Sequence, residues 1–375
     1  MELKTIKIPF KIKKPILAMG SQTKNTICFV KDDKAFMSRV HSDLSNPGDI
    51  LSFEKDTKYF LKKGPKIIAY DLHPDYQSTR YALELSPITY RLSPIQHHHA
   101  HIASCMAENG LENQKVIGVG FDGTGLGTDG TLWGAEFLVC DYKNFNRVAH
   151  LKQIPLLGGE RAILEPSRLT AAWLYAVYKD KFLNMELDLI KSVKKNWPVL
   201  KKMLLSGFSS PSASSMGRLF DAAASLVLAK YKANFEADLA IELEKVASNY
   251  NSTAINYKFK IIKNKDNYIL DPALTFRGII KDLKGKEPKE KIAYRFHLTV
   301  AEMINRMCLR LRKSTGITNV VLSGGVFQNK LLLRLSLDLL YKQDFRVFTH
   351  KILACNDSSI SLGQALIASF ARTNL

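Results

Sequence analysis

Apolar and polar positions along this chain change rhythm twice. Over roughly the first 140 residues the apolar runs are short and end in glycine, asparagine or threonine, the pattern of strands entering turns. One such run passes from Pro15 through Gly20 and Asn25 to Val30, with a further candidate strand at Ala35–Val40; another passes from Val116 through Asp122–Gly130 to Cys140. Two strand-turn-strand devices about 100 residues apart predict a duplicated core. Beyond residue 160 the spacing becomes helical, with apolar side chains at three- and four-residue intervals in Pro166–Tyr178, Met216–Tyr231, Phe235–Tyr250 and Lys291–Lys313. Between these, Ile255–Ile262 and Tyr268–Asp271 predict a small hairpin around Lys263–Asn267. The last stretch alternates: strand Asn319–Leu322, helix Gln328–Tyr341, strand Phe345–His350, helix Ser358–Phe370. That order predicts an α/β protein whose parallel strands are joined by crossover helices.

Composition narrows the class. At 375 residues, 46% hydrophobic and 24% charged, the chain is a folded globular protein long enough for two lobes. It has no 18-residue apolar run, and Met1–Thr5 lacks the apolar core of a signal peptide, so a cytoplasmic location and no membrane association are expected. The five cysteines are scattered, the closest two 35 residues apart, and predict reduced thiols rather than a zinc finger or redox pair. A formal net charge of +19 favours an acidic partner, a phosphorylated ligand or RNA. The lysines are dispersed, often beside acids, and no arginine-rich or aromatic-interleaved segment points to nucleic acid specifically.

Four histidines occupy five positions in Gln96-His97-His98-His99-Ala100-His101. Ser93 suits a helix N-cap, Pro94 the first helical position, Gln96 a capping box, and Asn109-Gly110 an end, so the spacing predicts a helix over this stretch. Residues four apart share a helix face, which lets His97 and His101 offer imidazoles to one metal ion. The alternative is that these histidines are partly exposed or packing residues, and spacing alone does not separate the two. A third ligand must come from far away in sequence. Asp357, in Asn356-Asp357 after the last strand, is the best placed distant carboxylate, although an aspartate there also suits a helix N-cap. Asp122-Gly123-Thr124-Gly125 ends a strongly apolar strand, where a carboxylate is otherwise costly. Its glycines let backbone amides approach an anion, and its carboxylate suits a metal or its waters. Leu322-Ser323-Gly324-Gly325 leads a buried strand into a helix start, a place that favours phosphate. Arg218 and Asp221 in Ser215-Met216-Gly217-Arg218-Leu219-Phe220-Asp221 suit phosphate and ribose hydroxyls, or a structural ion pair.

In order along nearly the whole chain, these segments resemble the C-terminal, threonylcarbamoyl-transferase-like portion of the HypF carbamoyltransferases of [NiFe]-hydrogenase maturation. The matching residues are Leu17-Ala18-Met19-Gly20 with Lys24-Asn25-Thr26, Asp71-Leu72-His73-Pro74-Asp75-Tyr76-Gln77-Ser78-Thr79, and the histidine cluster. They continue through Phe121–Gly125 with Asp129-Gly130 and Trp133-Gly134, Glu165-Pro166 with Arg168, and Ser215–Asp221. Arg295-Phe296-His297, Leu322–Asn329 and Asn356-Asp357 with Leu362-Gly363-Gln364-Ala365 complete the set.

The resemblance implies a two-lobed fold of the actin, Hsp70 and sugar-kinase type. Its expected division is an N-terminal lobe over 1–115 with the metal-binding helix, and a nucleotide-binding lobe with helical insertions over 116–375. The final helix would pack back toward the first lobe. It further implies that His97, His101 and Asp357 hold iron(II) or zinc, and that Asp122, Gly123 and Thr124 face phosphate and metal waters. Gly217, Arg218, Asp221, Gly324, Gly325 and Asn329 would hold the nucleotide, ATP, AMP or carbamoyl-adenylate. The implied reaction carries a carbamoyl group from carbamoyl-adenylate to the C-terminal cysteine of a HypE-type acceptor. The upstream acylphosphatase-like, zinc-finger and synthase domains of full HypF have no counterpart in these 375 residues, so a separate carbamoyl-adenylate synthase domain is expected as partner. The chain departs from the family at His41-Ser42-Asp43, Gly158-Gly159-Glu160 and Phe235-Glu236-Ala237-Asp238, the last in place of the usual glycine and glutamine after the glutamate. Competing readings are a small-molecule O-carbamoyltransferase, a tRNA threonylcarbamoyl transferase, and a non-catalytic nucleotide-binding subunit.

Overall fold

The computed structural model describes residues 3–85 and 89–371. Its first sheet is built from β1 (Lys4–Ala18), β2 (Cys28–Met37), β3 (Ile67–Asp71) and β4 (Arg91–Ile95), in the order β2-β1-β3-β4. β1 and β2 are antiparallel, whereas β3 and β4 continue parallel to β1. The first half of β1 alternates, burying Ile6, Ile8 and Ile12 and exposing Lys4, Lys7 and Lys11; from Ile16 to Ala18 it is buried continuously, as in a strand covered on both faces.

The second sheet runs through β5 (Val116–Leu126), β6 (Leu132–Cys140), β7 (Phe145–Leu151), β8 (Lys260–Asn264), β9 (Asn267–Asp271), β10 (Asn319–Ser323) and β11 (Arg346–Phe348), with the short strands Ser212–Ser215 and Ile154–Pro155 attached beside β6. Its order is β8-β9-β7-β6-β5-β10-β11. Within it β6 and β5 are antiparallel and β10 and β11 continue parallel to β5, so β6-β5-β10-β11 repeats β2-β1-β3-β4. This is the duplicated α/β core that the sequence predicts.

Helices α1 (His97–Glu108) and α4 (Ile360–Phe370) share one core with both sheets, in which Ile16, Ile102, Met106, Val116, Val321 and Leu366 meet; α2 (Met216–Leu228) and α3 (Lys330–Tyr341) belong to the insertion side. The insertion helices cover the other face of the second sheet around Phe121, Phe220 and Phe296. At the α1–α4 contact a Cβ on Gly363 would lie 1.9 Å from the Ala100 carbonyl oxygen, so only glycine permits that approach. No helix among the described residues is long and apolar enough to cross a membrane.

Local boundaries differ from the sequence expectation where they matter most. Ser93 and Pro94 do not start the histidine helix but lie in β4, the edge strand of its sheet, where the missing N–H of proline is tolerated. Gln96 is itself the N-cap, its side chain accepting from the His99 amide at 2.9 Å. Asp122 does not end a strand either. β5 runs on to Leu126, but Phe121 pairs with Ala135 and Gly125 with Trp133, so Asp122-Gly123-Thr124 form a bulge that re-aims their side chains. A 3-10 turn, Gly325–Gln328, precedes α3, with Asn329 as its N-cap, and another, Asp357–Ser359, precedes α4.

Candidate active site

Every histidine of the cluster is buried, none more than 3% exposed. α1 is wedged into the shared core, so its polar residues must find partners inside the protein. His97 and His101, one turn apart, point their Nε2 atoms at Asp122 and Asp357. Each Nε2 lies 3.3 Å from Asp122 Oδ2, and Asp357 Oδ1 is 3.9 Å from His97 Nε2 and 3.6 Å from His101 Nε2. The four ligand atoms all fall within 4.8 Å of one another. The other two histidines turn elsewhere: His99 Nε2 meets the Asp141 carbonyl at 2.6 Å, and His98 packs near Trp133, its Nε2 without a hydrogen-bond partner among the described residues.

Asp71, at the end of β3, receives the His97 Nδ1 proton at 2.8 Å and is fully buried. This fixes the tautomer and leaves the Nε2 lone pair facing the cluster, the usual arrangement of a carboxylate behind a metal-ligating histidine. Asp122 is fixed from its other side, where the Gly325 amide donates to Oδ1 at 3.0 Å. Burial opposes charge on His97, yet Asp71 and Asp122 outweigh it and hold the imidazole well above the usual histidine range. Burial likewise opposes charge on Asp122, and His101 and His97 hold its carboxyl well below the usual carboxylate range. Nitrogen lone pairs and carboxylates this close need a proton or a cation between them. Two imidazole nitrogens and two carboxylate oxygens suit zinc or iron(II), so these residues fit a divalent metal.

The expected nucleotide residues gather beside this cluster. Ser215 caps α2 and donates to the Asp122 and Gly123 carbonyls, tying the β5 bulge to the helix start. A Cβ on Gly217 would lie 3.1 Å from Gly123 Cα. Gly324 has φ +107°, and a Cβ there would meet the Phe121 carbonyl at 2.3 Å, so the turn after β10 requires glycine. Arg218 and Asp221 face each other, Nε to Oδ2 3.1 Å, and Arg218 Nη2 reaches Glu236 at 3.0 Å. Arg218 Nη1 is buried without a hydrogen-bond partner among the described residues. Asn329 is committed on both sides: Oδ1 accepts from the Leu332 amide at 2.8 Å, and Nδ2 donates to His297 Nε2 at 2.9 Å.

Asp71, Glu236 and His297 are the neighbours that spacing did not single out. Asp71 carries the same signal as Asp122, a carboxylate in an apolar strand; Glu236 and His297 lie in segments visible in the sequence, but their contacts with Arg218 and Asn329 appear only in the fold.

Residues 11–108 match the family described as the HypF Kae1-like domain, and residues 118–364 match the carbamoyltransferase Kae1-like domain, second subdomain. The carbamoyltransferase HypF of Synechocystis sp. is 33% identical over 387 residues, covering 98% of this chain and 49% of the relative. A carbamoyltransferase HypF homolog of Cupriavidus necator is 31% identical, with 95% of this chain and 91% of the relative covered. A crystal structure of full-length HypF in the phosphate- and nucleotide-bound form superposes with a TM-score of 0.89 at 39% identity, covering 97% of this chain and 47% of that one. The chain thus spans about half the length of the Synechocystis relative and of the solved structure, and nearly all of the C. necator homolog. It belongs to the HypF family, as that family's Kae1-like carbamoyltransferase portion.

Proposed function

We propose that this chain is a cytoplasmic carbamoyltransferase of hydrogenase maturation. It moves the carbamoyl group of carbamoyl-adenylate to the C-terminal cysteine thiolate of a HypE-type acceptor protein, and it takes the adenylate from a separate synthase domain. The observation that carries this reading is the convergence of His97, His101, Asp122 and Asp357 beside the Gly123 bulge and the Gly324-Gly325 turn. In this reading residues 1–115 form the lobe that brings the histidine helix, and 116–375 the lobe that brings the nucleotide.

A divalent metal, iron(II) or zinc, held by His97, His101 and Asp357, would supply Lewis-acid stabilisation of negative charge on phosphate and carbamoyl oxygens. Asp122, Gly123 and Thr124 face the phosphate, Asp122 held in place through the Gly325 amide. Gly324 and Gly325 bring backbone amides to the same side, and amides oriented in advance stabilise charge that develops as the carbamoyl carbon is attacked and AMP departs. Gly217, Arg218, Asp221 and Asn329 line the nucleotide side. The nucleophile is the acceptor's thiolate. Burial pushes the Cys28, Cys105, Cys140 and Cys308 thiols far up and the Cys355 thiol up to about 11, so no thiol of this chain is poised to attack.

Incubated with carbamoyl phosphate, ATP and a HypE-type acceptor, the chain alone should leave the acceptor thiol unmodified. Adding a separate synthase domain should yield a thiocarbamate at the terminal cysteine, seen by mass spectrometry. Product without the synthase would mean that this chain activates carbamoyl phosphate itself; no product with it would favour a non-catalytic nucleotide-binding subunit.

A further inference from the structure

A second buried cluster lies at the far end of the histidine helix. Glu108 closes α1, where the helix dipole disfavours a carboxylate, yet its side chain is only 1% exposed. It is paid for by an unusual number of donors. His350 Nδ1 donates to Oε2 at 2.8 Å, Leu353 N donates to Oε2 at 3.2 Å, and the Lys351 and Ile352 amides donate to Oε1. On its other side His350 Nε2 meets Ser323 Oγ at 2.9 Å. The neighbouring Asn109 adds a bond from Nδ2 to the Thr349 carbonyl at 2.9 Å. Burial alone would raise the Glu108 pKa, but His350 and the backbone amides reverse this and hold it at about 2, so the clamp is ionised under ordinary conditions.

Three chain segments meet at this cluster, and each delivers part of the metal site. α1 carries His97 and His101. The segment following β11 begins at the clamped residues 350–353 and ends at Asp357. Ser323 ends β10 and is followed by Gly324-Gly325, whose second amide holds Asp122. Among the described residues, Glu108 and His350 make no hydrogen bond or ion pair with His97, His101, Asp122 or Asp357. Its charged carboxylate is buried at an unfavourable helix end, so its value lies in what it joins.

We propose that Glu108, acting through His350, is a positioning residue for the metal centre: a buried carboxylate clamp that fixes the Asp357 loop and the β10 end to the helix bearing the two histidines. This rests on the metal-site reading above. A ligand carboxylate at the end of an unclamped loop samples positions outside bonding distance, and that lowers metal affinity without removing a ligand.

Zinc is the probe, titrated against a chromophoric chelator, with amide hydrogen exchange followed in the same proteins. Glu108→Gln and His350→Phe should each bind zinc several-fold more weakly than wild type, and Ser323→Ala should weaken binding in the same direction. Amides 351–353 should exchange faster in Glu108→Gln. Ile279→Val, a core change in the insertion helix Ala273–Lys284, should leave zinc affinity unaltered even where its melting temperature drops as far. Zinc affinity within twofold of wild type in both Glu108→Gln and His350→Phe would overturn the proposal while leaving the metal site intact. If Glu108→Gln does not fold, His350→Phe and Ser323→Ala decide by the same criterion. A wild-type protein that binds no zinc would overturn the metal-site reading and this proposal with it.

Discussion

Asp71 decides which nitrogen of His97 faces the cluster, and it does so from outside the ligand set. Replacing it by asparagine keeps the shape but permits the amide to donate to Nδ1, which would turn the proton onto Nε2 and away from ligation. Asp71→Asn should therefore weaken iron or zinc binding about 10- to 100-fold, measured by metal analysis after dialysis, whereas His97→Ala and His101→Ala should lose the metal outright. Equal metal retention in all three variants would remove the site. Asp221 offers a separate test in pH. Burial pushes its carboxyl up to about 6, only partly offset by Arg218. A carboxyl whose folded pKa lies above its unfolded value binds its proton more tightly in the folded state. Its contribution is complete below about pH 4 and is lost as pH rises through 6, worth about 3 kcal/mol at most. Denaturant curves should show wild-type stability falling between these limits relative to Asp221→Asn; parallel curves would mean that the Arg218 pair keeps Asp221 ionised throughout. At this scale the helical spacing of His97 and His101 and the misplaced-looking carboxylate at Asp122 were legible in sequence. That His101 and Asp357 come within 3.6 Å was not, because the 255 residues between them set that distance through two sheets.

The elements were read best where one face is apolar and the other polar, and worst where charge hides the alternation. Lys4–Lys14 holds five lysines, yet on a strand its isoleucines all turn inward and its lysines outward, giving the long β1. α1 starts later than its sequence predicts because Ser93-Pro94 is chemically a good helix opening, and pairing with β3 overrides that local preference. The departure at Ala237 was visible in sequence, and its cost becomes physical in the fold. Ala237 has φ +65°, a left-handed conformation that glycine adopts freely and that costs an alanine roughly 1–2 kcal/mol. Asp238 replaces the expected glutamine and pins the same turn, accepting from Asn234 N at 2.9 Å and Nδ2 at 2.8 Å. Ala237→Gly relieves the strain but gives the unfolded chain more freedom, for a net gain of roughly 0.5–1 kcal/mol. The variant should melt about 2 °C higher by calorimetry. A lower melting temperature would show that the Asn234–Asp238 bonds already absorb the strain.

Across the whole molecule the metal cluster and the shared core depend on one helix crossing. α1 supplies two of the proposed ligands, Asp357 stands just before α4, and the two helices touch where Gly363 meets the Ala100 carbonyl. α4 is also bound to the first sheet, since Gln364 Oε1 accepts from the Gly20 amide at 2.9 Å and its Nε2 donates to the Gly20 carbonyl at 3.2 Å. Adding one methyl at Gly363 leaves no room for relief, because what it strikes is backbone rather than a movable side chain. The helices must separate, at a cost of about 3 kcal/mol or more in packing. Moving α4 away from α1 also draws Asp357 from His97 and His101. Gly363→Ala should thus lose metal and stability together, unlike Gly64→Ala, where φ is +70° but a Cβ meets nothing within 4 Å. That control should cost roughly 1–2 kcal/mol of backbone strain and keep its metal. Metal content and thermal melts of the two variants separate the outcomes: a Gly363→Ala protein that is destabilised but fully loaded would show that the site tolerates helix separation, and that the crossing serves the core alone.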